Sequence, residues 1–337
     1  MKTIFFITSA VLATILFSAC KQGSNLTDNM PMRTNAGSGS STAHPAITYV
    51  SGTTLKKIFY NTIAVMDTDG THQTNVYTAS SSSETDMNPT WSPSGGSIAW
   101  KTISSAVSSS ILTAEISVNS SGTPVASNQR TVYSPSSSDS LSIITPAWCT
   151  SSATAKIAFV RQYIGTNLGK SELCTISESG GSVTVLASYS KKNSAGTVIS
   201  HYTYPTWSPD DSKIAVIRED TIGHNTIMIF DASTGAALDS IPISGGVSEL
   251  EWSRTGMNKL VYIYTPNSST AWSLYYADPT TGSTPSTNSV TGGAPTWSPN
   301  NSSIMYVNSS LMKVIPLTAT TTTVSSSGPG NKMNWKK

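Results

Sequence analysis

Six of the chain's eight tryptophans sit in the same short phrase, and no other feature restricts the fold as much. The copies read Asn88-Pro89-Thr90-Trp91-Ser92-Pro93, Thr145-Pro146-Ala147-Trp148-Cys149, Tyr204-Pro205-Thr206-Trp207-Ser208-Pro209, Glu249-Leu250-Glu251-Trp252-Ser253, Ala294-Pro295-Thr296-Trp297-Ser298-Pro299 and a last fragment, Met333-Asn334-Trp335. Successive tryptophans lie 57, 59, 45, 45 and 38 residues apart. These intervals scatter around the roughly 40 to 50 residues of one four-stranded propeller blade, the longer ones absorbing loops.

Each of the first five tryptophans precedes a turn and an apolar strand: Ser97-Ile98-Ala99-Trp100, Lys156-Ile157-Ala158-Phe159-Val160, Lys213-Ile214-Ala215-Val216-Ile217, Lys259-Leu260-Val261-Tyr262-Ile263 and Ser303-Ile304-Met305-Tyr306-Val307. Pro209-Asp210-Asp211 and Pro299-Asn300-Asn301 put Pro and then Asp or Asn where a type I turn accepts them. Proline is tolerated beside Thr-Trp because an innermost strand lacks a neighbour on its channel side. A third strand follows, as in Ile63-Ala64-Val65-Met66-Asp67, Ile227-Met228-Ile229-Phe230-Asp231 and Leu274-Tyr275-Tyr276-Ala277-Asp278, leading to a short polar outer strand. The first set, from Ile47, has no tryptophan strand ahead of it, and Trp335 has no blade behind it. Placing the C-terminal strand innermost in the N-terminal blade removes free sheet edges. The expectation is an all-β, six-bladed β-propeller over residues 47–337, closed in this way and monomeric.

Composition agrees with a folded all-β chain. Eight Trp and thirteen Tyr are more than a disordered Ser/Thr-rich stalk has use for. Only 11% of the 337 residues are charged and the formal net charge is +2, so no basic field exists to hold nucleic acid.

The copies resemble the Trp-Ser-Pro-Asp-Gly repeat of TolB-like propellers over about residues 47 to 337. They depart at the turn, where Ser94-Gly95, Asp210-Asp211, Asn300-Asn301 and Thr255-Gly256 replace Asp-Gly and Cys149 replaces Ser. That resemblance implies fold more than function, because such propellers include partner-binding periplasmic proteins, sugar-acid lyases and the non-catalytic half of prolyl peptidases. No Gly-x-Ser-x-Gly elbow occurs, so Ser-triad hydrolysis is set aside.

Ahead of the repeats, Lys2 precedes an apolar run from Ile4 to Phe17, the length of a signal-peptide core and shorter than a spanning helix. Leu16-Phe17-Ser18-Ala19-Cys20 resembles the lipobox of bacterial lipoproteins, which implies cleavage of residues 1–19 and attachment of acyl chains such as palmitate to Cys20. Residues 20–46 then read as the lipidated cysteine and a flexible tether. Asp does not follow Cys20, and by the enteric sorting rule that favours the outer membrane. The expectation is an exported protein on the cell envelope, facing the periplasm or the surface, whose lipid is its only membrane contact.

Candidate chemistry is sparse. Asp67-Thr68-Asp69-Gly70-Thr71 starts like a calcium loop but lacks the closing Glu and reads as a hairpin turn. Cys149 and Cys174 fall on strands separated by one other, roughly 9 to 10 Å apart at about 4.8 Å per strand, too far for a disulfide, so both read as buried free thiols. Of His44, His72, His201 and His224, only the last two share the channel mouth, too few for a closed metal site. No cofactor is expected. The mouth, where inner strands begin and second strands end, is ringed three residues before each tryptophan by Asn88, Thr145, Tyr204, Glu249, Ala294 and Lys332, with Asp86, Arg161, His201 and Arg218 on nearby loops. This set suits a polar ligand or a peptide segment. Asn88, Tyr204, Glu249, Lys332, Asp86, Arg161, His201 and Arg218 are the candidate ligand-binding residues, and no residue is assigned to catalysis or to a metal. The function expected is non-catalytic binding of an envelope protein or glycan, with a sugar-acid polysaccharide lyase as the alternative. Three triplets, Asp139-Ser140-Leu141, Asp220-Thr221-Ile222 and Asp239-Ser240-Ile241, also resemble the O-glycosylation signal of Bacteroidetes.

Overall fold

A computed structural model of the chain describes residues 47–55, 58–67, 72–78, 84–105, 108–136, 141–153, 155–164, 170–192, 198–221, 224–254, 256–267, 273–279, 286–287, 292–308, 311–316, 322–325 and 334–335. Cys20, the tether, His44 and Lys332 lie outside these residues.

Every described element is a strand. The first sheet holds β1 (Ile47–Leu55), β2 (Ile58–Met66) and β3 (Thr74–Thr78), and the second β4 (Thr85–Trp91), β5 (Ser97–Ser105), β6 (Ser108–Val118) and β7 (Pro124–Tyr133). An eight-stranded sheet follows with β8 (Leu141–Trp148), β9 (Lys156–Tyr163), β10 (Lys170–Ser177), β11 (Thr184–Lys192), β12 (Val198–Trp207), β13 (Lys213–Thr221), β14 (His224–Asp231) and β15 (Ala237–Ser244). Then come β16 (Gly246–Trp252), β17 (Leu260–Thr265), β18 (Ser273–Ala277) and β19 (Ser286–Thr287), and β20 (Gly293–Trp297), β21 (Ser303–Asn308), β22 (Leu311–Pro316) and β23 (Thr322–Ser325). Last, β24 (Asn334–Trp335) pairs with β1, Trp335 opposite Ile47 and Asn334 opposite Thr48. The N-terminal sheet is therefore completed by the C-terminal strand.

The chain is an all-β β-propeller. Its described strands form five hydrogen-bonded sheets where the repeats led us to expect six. The difference has one local cause. β11 and β12 pair at Lys191–Ser200 and Lys192–Val198, and these bonds fuse two four-strand units into one sheet.

Units are sealed to their neighbours through the repeat itself. Trp91, Trp148, Trp207, Trp252 and Trp297 are all at most 6% exposed. The Trp207 Nε1–H donates to the Ala147 carbonyl at 3.0 Å, and the Trp252 backbone N–H donates to Thr206 Oγ1 at 2.9 Å. Third strands contribute as well, Ser109 Oγ accepting from Ile143 N at 2.6 Å and Ser171 Oγ from Tyr202 N at 2.9 Å. Each such bond satisfies a buried polar group between neighbouring units.

The turn after each tryptophan is built from one bond pattern. Ser92, Ser208, Ser253 and Ser298 hydroxyls accept from the N–H of Ser97, Lys213, Lys259 and Ser303 at 2.9 to 3.0 Å. Cys149 Sγ takes the same place, accepting from Lys156 N at 3.2 Å. Both Cys149 and Cys174 are buried thiols outside any disulfide. Gly95, Asp211 and Asn301 hold positive φ of 68°, 59° and 55° in these turns. Asp211 and Asn301 also reach back to the preceding unit. The Asp211 carboxylate accepts from Thr150 N and Ser151 N, both at 2.6 Å, and Asn301 Oδ1 accepts from Arg254 N at 2.6 Å. Where the resembling repeat has Gly, these residues keep the left-handed turn and add a latch between units.

Candidate functional site

In five of the described tryptophan strands, the residue three places before the tryptophan breaks the ladder. Asn88, Thr145, Tyr204, Glu249 and Ala294 all have left-handed backbones, with φ of 54°, 38°, 51°, 55° and 52°. Register shifts at the same places leave two residues facing one on the next strand: Asn88 and Pro89 face Trp100, Thr145 and Pro146 face Phe159, and Tyr204 and Pro205 face Val216. Glu249 and Leu250 likewise face Tyr262, and Ala294 and Pro295 face Tyr306. These are β-bulges, which bend a strand and re-aim its side chains. The prolines thus sit where the ladder is already interrupted, a more specific reason for them than the open channel side.

A left-handed non-glycine residue costs about 1 to 3 kcal/mol and persists only where its surroundings over-determine it. The strain recurs at five equivalent positions, yet the side chains there differ. Thr145 and Ala294 are buried, at 2% and 4% exposure, whereas Asn88, Tyr204 and Glu249 are half-buried. The accessible ring is therefore narrower than the sequence suggested.

One corner concentrates polar groups. Glu219 Oε2 pairs with His201 Nε2 at 3.2 Å, and Thr203 Oγ1 donates to Glu219 Oε1 at 3.2 Å. Glu249 accepts a hydrogen bond from the Ala294 backbone N–H. Burial, with the nearby Glu249 and Glu219 carboxylates, pushes the Tyr204 phenol well above its usual range, so it stays protonated as a donor. His201 and Glu219 remain partly open to solvent, at 27% and 36% side-chain exposure.

The two arginines belong to seams. Arg161 and Arg218 lie on strands β9 and β13, not on loops, because the hairpins run on past the bulges before turning. His201 and His224 are also on strands, β12 and β14. Arg161 binds Glu172 at 2.5 Å, and Lys170 and Tyr163 bind the same carboxylate at 2.7 and 3.1 Å. Burial alone would push the Glu172 carboxyl up, but Lys170 and Arg161 outweigh it and hold it below the usual range. Arg218 donates to Thr226 Oγ1 at 3.3 Å and lies 5.2 Å from the centre of the Tyr189 ring. Both guanidinium groups are committed to packing between units. Asp86 is on β4, in register with Thr102.

Sequence reasoning missed Glu219. Its signal was the register, since extending the strand after Ile217 by two residues sets Glu219 opposite His201. It also missed Glu251, which stands where other copies have Thr or Ala and forms a buried ion pair with Arg254 at 3.0 Å. This pair lines a small cavity of about 30 Å³ together with Thr90, Thr206 and Trp252. His72 Nδ1 lies 2.8 Å from Asp67 Oδ2, and residues 68–71 of the calcium-like segment are outside the described set. Among the described residues no group of three or more His, Cys, Asp and Glu side chains is arranged to hold a metal.

No protein-family model matches the sequence, and no curated protein matches it. Solved structures do. TolB from Acinetobacter baumannii is similar with a TM-score of 0.62 and 18% identity over 88% of this chain and 67% of that one. A putative TolB from Agrobacterium tumefaciens gives 0.51 and 12% over 88% and 100%. An oligogalacturonate lyase from Vibrio parahaemolyticus gives 0.48 and 10% over 82% and 78%. At these identities the likeness is one of fold, and the fold it shows is the TolB-like β-propeller.

Proposed function

We propose that this chain is a six-bladed, lipid-anchored envelope protein that binds a partner protein or glycan at its channel mouth without transforming it. The blade count treats β8–β11 and β12–β15 as separate blades, because each is a complete four-strand run opening on its own tryptophan strand. Export and anchoring rest on the segment from Lys2 to Cys20.

The observation that carries the binding reading is the ring of left-handed bulges, a costly backbone repeated at one opening while its side chains vary. Tyr204, Glu219, Glu249 and His201 then offer donors and carboxylates suited to hydroxyl-bearing or cationic groups. In envelope extracts, wild-type protein should retain a partner that His201→Ala combined with Glu219→Gln loses, while Arg218→Lys, changed only in a seam, keeps it. An identical partner set for all three would place the binding surface elsewhere. A Cys20→Ala arm should lose incorporation of labelled palmitate, and continued labelling would refute the anchor.

A further inference from the structure

Lys101 breaks a rule that the other repeats keep. In strand register, the place opposite the residue before the bulge is held in the other repeats by Val160, Ile217, Ile263 and Val307. Lys101 is only 6% exposed, and among the described residues its ammonium makes no hydrogen bond or ion pair. Its register neighbours are Met87 and Ile111. Alternation along β5 puts Lys101 on the same face as Ala99, which packs with Ile111, Ile143 and Trp148 in the seam toward β8. β8 reads Leu-Ser-Ile-Ile-Thr-Pro-Ala-Trp and supplies no titratable group.

An ammonium buried without an anion is unfavourable, and an aliphatic residue demonstrably fits this position elsewhere in the ring. A residue that sacrifices stability in this way points to function. The level of Lys101 locates that function. It pairs with Met87, the residue before the Asn88 bulge and on its mouth side, and a lysine stem lets the charged head reach along an apolar seam toward an opening.

We infer that Lys101 is the cationic subsite of the channel mouth and takes the carboxylate of a bound ligand. A single ammonium matches one carboxylate group, even where the ligand carries a second one further along its chain. A phosphate dianion needs a second cation, and the neighbouring seam's Arg161 is already bound to Glu172. Burial pushes the Lys101 amine down to about 8, which leaves it mainly protonated at neutral pH yet reactive enough to label. The inference rests on the mouth being the binding face, but its test does not depend on finding the partner.

Purified mature protein is treated with a limiting amine-acetylating reagent alone, with succinate, with succinamide, or with a short peptide whose one carboxylate is its C-terminus. Acetylation of Lys101 and of Lys259, whose side chain is 43% exposed, is read by mass spectrometry. Succinate or the peptide at about three times its dissociation constant should slow Lys101 labelling about fourfold and leave Lys259 unchanged, with no effect of succinamide. The arm that protects distinguishes a small organic acid from a peptide terminus. In parallel, the same carboxylate should raise the melting temperature of wild type and not of Lys101→Met. Lack of protection by both carboxylates, equal protection by succinamide, or an equal thermal shift in Lys101→Met would each overturn the assignment. If Lys101→Met does not fold, labelling of the wild type still decides. A failed partner pull-down with Lys101 protected would count against the partner and not against this subsite.

Discussion

Lys101 also gives the clearest reading of what one residue does to stability. Its folded-state value of about 8 lies below the ordinary 10.5. The unfolded chain therefore binds more protons than the folded one between those values, so stability rises with pH across that window and the penalty is complete below it. The full penalty is on the order of 3 kcal/mol. Met87, Ile111 and the whole of β8 present no titratable side chain to this amine, so the dependence belongs to Lys101 itself. Lys101→Met should raise the urea midpoint of wild type at pH 7, and the gap should shrink by pH 10.5. An unchanged midpoint at pH 7 would show that the amine is not in a desolvated seam. At this scale the sequence was only partly legible. Lys101 could have been found by aligning the copies beyond their tryptophans, as could Glu251. Spacing singled out Tyr204 and Glu249, but their left-handed backbones carry no sequence mark, since none of the five bulge residues is glycine.

Turns and bulges decide the behaviour of the elements. Strands were readable because Val, Ile and aromatic residues gather between turn residues, and β9, β13 and β21 begin where the lysine or serine after each turn was read. Their mouth-side ends were not readable. Arg161, Arg218 and His201 looked like loop residues because the polar stretch that follows each apolar run still pairs as strand. The latch made by Asp211 was equally hidden, because its partners Thr150 and Ser151 are sixty residues away in sequence. Asp211→Ala removes the acceptor for two part-buried N–H groups and forces alanine into a left-handed turn. We expect a loss of about 2 to 4 kcal/mol in equilibrium unfolding, from about 1 to 3 for the unmet donors and about 1 for the backbone. Asp211→Gly should lose about 1 kcal/mol less, since only the hydrogen bonds go. Should the glycine variant prove the weaker of the two, the left-handed requirement would be wrong.

For the whole molecule, the pairing of β24 with β1 turns a row of repeats into a ring. Its logic was visible in the sequence as an N-terminal set without a tryptophan strand and a C-terminal tryptophan without a set. The fusion of two units through β11 and β12 was not visible, since it depends on a register between polar strands that no apolar pattern fixes. Removing residues 334–337 should expose the β1 edge, lower the melting temperature and produce oligomers in light scattering. A truncated protein that stays monodisperse with an unchanged melting temperature would show that the ring does not need this closure. What the ring serves is legible only where its repeats disagree, and His201 and Glu219 mark such a place at the mouth. The most direct measurement places a photoreactive side chain at position 201 and, as a control, at Leu238, which is 50% exposed on the outer strand β15. Illumination in envelope extract should give a discrete adduct from position 201 that excess unmodified protein suppresses, and none from position 238. Adducts of equal yield at both positions, or none at 201, would contradict binding at the mouth.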